Sequence, residues 1–333
     1  MNATPSGFAA PPRRSLLAIL TGLACALAPL SLHARSEAPA SAPAAPPAST
    51  VNHATAPGDT AIVLLDETGR EVRLPAPARR IVSLAPHVTE LLFAAGAGDQ
   101  VVGVVAYSDY PEAATRLPQV GGYMNVDMEA VASLRPDLIV AWQSGNRHAH
   151  LDRLEALGIP VYLNEPRSLA AVADAIEALG RLAGTEPAAR AAADAFRARH
   201  AALAAQHAAR PPVPMFYQIW NQPLMTINGE HLISDVIRLC GGENVFSDLA
   251  PLAPKIGTEG VLAANPEAIV ASGMGEARPE WLDEWRRWPQ LTAVTRDNLF
   301  FVPPDLIQRH TPRILDGATQ LCEFLETARA RRP

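Results

Sequence analysis

Glu129-Ala-Val-Ala-Ser-Leu-Arg-Pro-Asp-Leu-Ile-Val-Ala141 and Glu259-Gly-Val-Leu-Ala-Ala-Asn-Pro-Glu-Ala-Ile-Val-Ala271 match without a gap as Glu-x-Val-x-x-x-x-Pro-acid-x-Ile-Val-Ala. In each copy the glutamate falls in the first turn of a short predicted helix, where its charge suits the positive end of the helix dipole. The proline stops that helix ahead of an apolar strand. A helix feeding a buried strand, met twice, predicts two similar α/β lobes facing each other across a cleft. Solenoids need several copies of their unit, and two do not make one.

The segments around the two copies extend the pattern. Residues 61–74 alternate about Glu67-Thr-Gly-Arg70 and predict a hairpin. Apolar runs at 80–84, 101–105, 138–142 and 160–163 predict buried strands, with helices opening at Pro86 and near Leu151. Strands separated by helices mean a largely parallel sheet. Gly184-Thr-Glu-Pro187 ends one helix and begins another, with Thr185 as its cap, and the second continues through an Ala-rich run. At about 1.5 Å per residue it forms a rod of roughly 30 Å, long enough to join the lobes and stiff enough to limit hinge motion. Beyond it, a strand at 215–220, a helix at 233–240, a strand at 299–302 and a helix at 312–330 rebuild the same alternation. Trp281, Trp285 and Trp288 lie at helical spacing and predict an amphipathic helix packed on the second sheet. The predicted organisation is thus a lobe at 60–184, a linking helix at 185–210 and a second lobe at 211–331.

The chain has 333 residues, enough for two such domains plus extensions, and a net charge of −6 that removes the electrostatic footprint of a nucleic-acid binder. Residues 1–34 carry Arg13 and Arg14, an uncharged run from Ser15 to Leu32 and then His33-Ala34-Arg35, the layout of an export signal. The run is too short and too weakly apolar for a permanent span, with an uncleaved anchor as the alternative. The paired arginines also suit a twin-arginine route, and Cys25 a lipidated cysteine. Residues 35–59, rich in Ala, Pro, Ser and Thr, bury too little apolar surface to order themselves and read as a tether. With the signal removed, Cys240 and Cys322 remain as an even pair in an oxidising compartment. That predicts a disulfide, with two free buried thiols as the alternative.

No phosphate-binding loop, dinucleotide fingerprint or G-x-S-x-G elbow is present, and no Cys or His cluster has zinc spacing. His148 and His150 form an H-x-H in a polar stretch and read as solvated loop histidines, so no metal is expected. Ligands of open parallel sheets bind beyond the carboxyl ends of the strands, which selects the residues that follow each strand. These are Tyr107, Trp142, Trp220 and the run Asp305-Leu306-Ile307-Gln308-Arg309, joined by Tyr123 ahead of the first repeat. Aromatic faces with a few polar groups suit a large flat ligand, and packing roles remain the alternative for each. Glu129 and Glu259 each contribute about 0.3–1 kcal/mol as charges at helix starts. The duplicated acid also suits docking onto paired arginine pockets of a two-fold partner.

Several stretches together resemble the periplasmic vitamin B12-binding proteins, which deliver cobalamin to an ABC importer. They are Arg80-Ile-Val-Ser-Leu-Ala-Pro-His-Val-Thr-Glu-Leu-Leu-Phe-Ala-Ala-Gly96, Tyr107-Ser-Asp-Tyr-Pro111, Arg135-Pro-Asp-Leu-Ile-Val-Ala-Trp142, Cys240-Gly-Gly-Glu-Asn-Val-Phe246 and Pro312-Arg-Ile314. The resemblance covers about residues 78–328. It implies two Rossmann-like lobes with parallel-rich sheets, joined by one long helix, with the corrin in the cleft. Tyr107 matches a cobalamin-contacting tyrosine and Asp305 to Arg309 a second binding segment. Glu129 and Glu259 match the surface glutamates that engage a permease dimer in the inner membrane, and Cys240 and Cys322 match the family disulfide. Cobalamin would be cargo and no cofactor is expected; the protein would act as a monomer, not as an enzyme. Leu306 and Ile307 stand where well-known members carry aromatics, and Tyr123 replaces a tryptophan. Related proteins on this scaffold carry haem or ferric siderophores; haem would take Tyr107 or His310 as an axial donor, and an anionic siderophore would need several arginines in the cleft. An exported two-lobe metal chelatase-like enzyme is the rival of another class.

Overall fold

The computed structural model describes residues 61–273 and 277–333. The export signal, the tether and Cys25 lie outside the described residues. The chain opens with the antiparallel hairpin β1 (Ile62–Leu65) and β2 (Glu71–Leu74), whose turn is held by Asp66 accepting the backbone N–H groups of Thr68 and Arg70. The first lobe then runs β3 (Ile81–Ser83), α1 (Pro86–Ala94), β4 (Val101–Val104), the short pair β5 (Gly121–Gly122) and β6 (Asn125–Val126), α2 (Met128–Ser133), β7 (Leu138–Trp142), α3 (His148–Ala156) and β8 (Val161–Asn164). Helices α4 (Leu169–Ala183) and α5 (Glu186–His207) follow. The second lobe runs β9 (Val213–Gln218), α6 (Leu232–Leu239), β10 (Gly242–Asn244), α7 (Thr258–Ala264), β11 (Ala268–Ala271), a 3₁₀ segment (Glu280–Arg287), α8 (Thr292–Thr295), β12 (Leu299–Phe301), α9 (Pro304–Ile307) and α10 (Ile314–Ala330).

Each lobe is built on a four-stranded parallel sheet, in the order β4-β3-β7-β8 in the first and β10-β9-β11-β12 in the second. The topology is the same in both: the first strand pairs with its successor on one side and with the strand of the sequence repeat on the other. Ile139 of one repeat lies between Val82 and Val161, and Ile269 of the other between Phe216 and Leu299. Residues 138–141 and 268–271 are buried without alternation, because helices cover both faces of each sheet.

The repeat also duplicates a backbone conformation. Arg135 and Asn265, at the same place in each copy and just ahead of the proline, both take positive φ, +45° and +41°. Asparagine tolerates the left-handed region, whereas arginine there costs about 1–2 kcal/mol. The acid after the proline differs in its partners. Asp137 accepts the backbone N–H groups of Arg79 and Arg80 at the mouth of β3, while Glu267 is gripped by Arg296 and Arg332.

Helix α5 packs on α4 in the first lobe and on α6 and α10 in the second. The α4–α5 contact is so close that a Cβ on Gly180 would lie 2.2 Å from the Ala189 Cβ, so only glycine fits. Arg197 pairs with Asp174 and Glu177 of α4, and Arg199 with Asp316 of α10. One contiguous buried apolar cluster runs from Ile81 and Leu91 through Ala193 and Phe196 to Val236 and Leu325. The two lobes share that core on the side where α4 and α5 lie. A hinge motion has to shear it.

Some expectations change. Thr185 makes no side-chain cap; its hydroxyl donates to the Ala95 carbonyl and ties the start of α5 to the end of α1. His148 and His150 belong to the first turn of α3 rather than to a loop. The tryptophan segment packs as predicted, with Trp285 against Phe216 at 5.7 Å between ring centroids, but it winds as a 3₁₀ helix.

Cys240 at the end of α6 and Cys322 in α10 form a disulfide with their Cα atoms 4.7 Å apart, both residues buried. It closes a stretch of 82 residues, for which chain entropy implies about 4.5 kcal/mol. The double substitution Cys240→Ala with Cys322→Ala should lower the unfolding free energy from urea titration by a matching amount, moving the midpoint down. An unchanged midpoint would show that the unfolded chain is already restricted without the bond.

Candidate functional site

The loops leaving the carboxyl ends of the two sheets meet one another. Asp109, beyond β4, contacts Arg309, beyond β12, and His87, just beyond β3, lies 5.8 Å from His310 between ring centroids. The switch point of each sheet, where ligands of open α/β folds bind, is therefore turned toward the same seam.

Tyr107 stands at the lip of that seam with three-quarters of its surface exposed and a φ of +67°. A non-glycine residue held there costs on the order of 1–3 kcal/mol and persists only when its neighbours leave no alternative. Both neighbours on the C-terminal side are fixed. The Ser108 hydroxyl sits 3.0 Å from Thr89 Oγ1, which in turn lies 2.8 Å from Ser83 Oγ, all within the first lobe's core. Asp109 accepts two bonds from the Arg309 guanidinium of the other lobe, at 2.6 and 3.2 Å. Burial opposes ionisation of Asp109, yet the bonds and charge of Arg309 hold its carboxyl below the usual carboxylate range.

Trp142 ends β7 and Tyr123 lies beside it, their ring centroids 5.6 Å apart. Gly145 is required there, since a Cβ would fall 1.9 Å from the Trp142 ring. Asn146, almost fully buried, organises this corner. Its carbonyl oxygen accepts the Trp142 backbone N–H, and its amide donates to the carbonyls of Leu84 and Tyr123. Trp142 meets His87 edge-on at 5.3 Å, and the chain of rings continues through His310 to His231 at 5.6 Å. Burial pushes His310 down to about 4 and His231 to about 3, and holds His87 well below the usual imidazole range, with help from the charge of Arg309 on His87.

The run from Asp305 to Arg309 divides. Ile307 is fully buried in the shared core, where α9 rests on Gly317 of α10; a Cβ on that glycine would lie 2.4 Å from the Leu306 carbonyl oxygen. Asp305, Leu306 and Gln308 are half-buried. Arg309 bonds Glu90, Asp109 and Asp305, and Arg313 grips both oxygens of Glu90 at 2.9 and 2.6 Å while lying 4.0 Å over the Tyr110 ring. Glu90 is buried in α1, so a carboxylate of the first lobe is neutralised wholly by arginines of the second. The structure thus uses Arg309 to tie the lobes together.

Trp220, at the end of β9, donates from its indole N–H to the Gln222 carbonyl at 2.9 Å. It lines a groove of about 830 Å³ with Asn221, Trp281, Glu284 and Gly273, which follows β11. Glu129 and Glu259 are exposed in the first turns of α2 and α7, and among the described residues neither pairs with a base. Glu90, Asn146, Asp109, Arg313, His87 and His231 escaped sequence reasoning. Glu90 and Arg313 stand 223 positions apart, so no local pattern marks them as partners. A polar residue within four of a strand end was the one signal available for Asn146.

Two α/β lobes fused along a shared core, with open aromatic and polar loops at the facing ends of both sheets, define a binding protein whose ligand sits between lobes. Residues 81–306 match the family model described as periplasmic binding protein, and the chain belongs to that family. The vitamin B12-binding protein of Vibrio cholerae is 39% identical over 255 residues, covering 76% of this chain and 91% of that one. That of Yersinia pestis is 39% identical over 251 residues, covering 75% and 88%. The crystal structure of the periplasmic vitamin B12-binding protein of Vibrio cholerae superposes with a TM-score of 0.70 at 38% identity, covering 76% of this chain and 98% of that one. A periplasmic haem-binding protein of Roseiflexus shares the fold, with a TM-score of 0.65 at 24% identity over 75% and 99%.

The seam carries a pH dependence of known sign. His310 has a folded pKa near 4 against about 6.5 unfolded, so its contribution is complete above pH 6.5 and lost as pH falls toward 4. Glu67, pushed up to about 7 chiefly by burial, acts in the opposite sense, and a variant comparison subtracts it, leaving His310 with its charge coupling to His87 and His231. Between pH 6.5 and 4.5, His310→Phe should flatten the loss of unfolding free energy by up to about 1.4 kcal/mol per pH unit. Parallel curves for the two proteins in calorimetry would remove the histidine from the account.

Proposed function

We propose that this chain is an exported binding protein that captures cobalamin and delivers it to the permease dimer of an ABC importer in the inner membrane. The observation that carries the reading is Tyr107, a large aromatic kept exposed, at energetic cost, on the lip of the cleft. It does so in a chain 39% identical to vitamin B12-binding proteins across both lobes. An exposed ring fixed in advance loses little further freedom on binding, which favours stacking on a broad flat ligand. Tyr107, Tyr123 and Trp142 supply aromatic faces from the first lobe and Trp220 from the second, with Leu306, Asp305 and Gln308 beside them. Arg309 serves through its fixed position between the lobes, and Ile307 supports the segment from the core side.

The lobes at 60–184 and 211–331 act as two walls, and the helix at 185–210 sets their separation. The protein works as a periplasmic monomer, without covalent chemistry and without a cofactor of its own. For haem, His310 is packed between His87 and His231 and nearly without solvent access, which leaves Tyr107 as the open axial donor of the two considered. Glu129 and Glu259 occupy the same repeat position on the two lobes, an arrangement suited to a two-fold permease.

Cyanocobalamin titrated calorimetrically into the mature protein should bind one-to-one, and Tyr107→Ala should weaken it roughly tenfold, the size of one lost aromatic stacking contact. No heat with cobalamin alongside tight haem binding would move the assignment to haem. Turnover of a metal and a tetrapyrrole by the pure protein would move it to an enzyme.

The double variant Glu129→Ala with Glu259→Ala should keep its cobalamin affinity while docking to the permease in nanodiscs falls by at least tenfold. Unchanged docking and transport would take the glutamates out of the interface.

A further inference from the structure

A second cavity adjoins the Trp220 groove and shares Asn221, Gln222, Trp281 and Glu284 with it. It measures about 200 Å³ and is walled by Leu224, Thr258, Glu284 and the three tryptophans Trp281, Trp285 and Trp288. Thr258, the first residue of α7, is the sequence neighbour of the exposed Glu259 assigned to docking above. Trp285 is buried against Phe216 and anchors the wall, with Trp288 at 5.4 Å from it, whereas Trp281 and Trp288 keep part of their surface open.

The charges beside this wall are unequal in their employment. Asp283 is held by Arg278 at 2.6 Å and Arg286 at 3.0 Å, and Arg286 also holds Asp297. Glu284, exposed one residue on, pairs with no base among the described residues, and neither Lys255 nor Arg287 lines the cavity. Indole faces around one unpaired carboxylate suit a delocalised cation, which stacks on the rings and donates to the acid. A guanidinium meets both demands better than an ammonium, being flat, weakly hydrated and forked. The space admits one long side chain and is far too small for a corrin.

We propose that this cavity is a second docking point for the permease, taking an arginine side chain from the surface that meets Glu259. The inference rests on the docking role assigned to Glu259 above. It extends the interface from a lone charge to a charge and an aromatic socket, the arrangement in which interface energy concentrates.

Thr258→Phe fills the cavity and Trp288→Ala removes one wall, and neither residue lines the larger groove that contains Trp220. With the full mature protein on permease nanodiscs, each should lower docking affinity roughly tenfold, with cobalamin binding within twofold of wild type as the check on folding. Trp288→Phe should recover most of the loss. Glu259→Ala serves as the reference. If it weakens docking while Thr258→Phe and Trp288→Ala dock normally, the socket is overturned and the function stands. If Glu259→Ala itself docks normally, the docking role and the socket fall together. Acetyl-arginine amide should shift the Trp281 and Trp288 indole N–H resonances, and its uncharged citrulline analogue should not. Equal shifts from both would overturn the guanidinium assignment.

Discussion

Glu90 is a carboxylate with almost no access to water, and only arginines from the opposite lobe make it tolerable there. Removing both arginines would leave a buried charge unpaired, which costs about 3–5 kcal/mol in comparable sites. The lobes are thus held at one spacing by electrostatics at this seam, and by the apolar core that α4 and α5 carry between them. The two constraints are of different kinds, so salt screens the first and leaves the second in place. A cleft between such walls is largely preformed, which suits a rigid, bulky ligand better than one that must be enclosed.

The same arginines reach the ligand side of the seam. Arg309 links Glu90 in the core to Asp109 in the Tyr107 loop, so the ion cluster that fixes the lobes also fixes the strained tyrosine at the lip. On the other flank, the hydroxyls of Ser83, Thr89 and Ser108 hold the loop to its own sheet. Rigidity at Tyr107 is therefore borrowed from both lobes. Asn146 plays the corresponding part for Trp142 and Tyr123, supplying from one side chain the three bonds that irregular backbone at a strand end lacks.

Much of the candidate site was legible in the sequence because its aromatic residues directly follow strands, and strands of buried parallel sheets announce themselves as unbroken apolar runs. Tyr107, Trp142 and Trp220 were selected as candidates in that way. Residues that act by pairing across the lobes were not, since Glu90, Asp109 and Arg313 look like ordinary helix and loop charges until the chain is folded. Arg309 shows the difference within one residue: its place after a strand marked it for the ligand, and its partners turned out to be protein carboxylates. The Thr185 hydroxyl makes the same point at a helix start, where the Ala95 carbonyl outcompeted the local cap.

The sequence by itself determined the duplicated α/β plan, the linking helix and a cysteine pair consistent with one bond. All of these depend on local periodicity, on helix stops and on composition. Tertiary structure alone decided which charges are buried, which histidines are dry, and that a single core passes behind both lobes. Those outcomes depend on which surfaces meet across some two hundred positions of chain, a quantity that no local pattern of residues encodes.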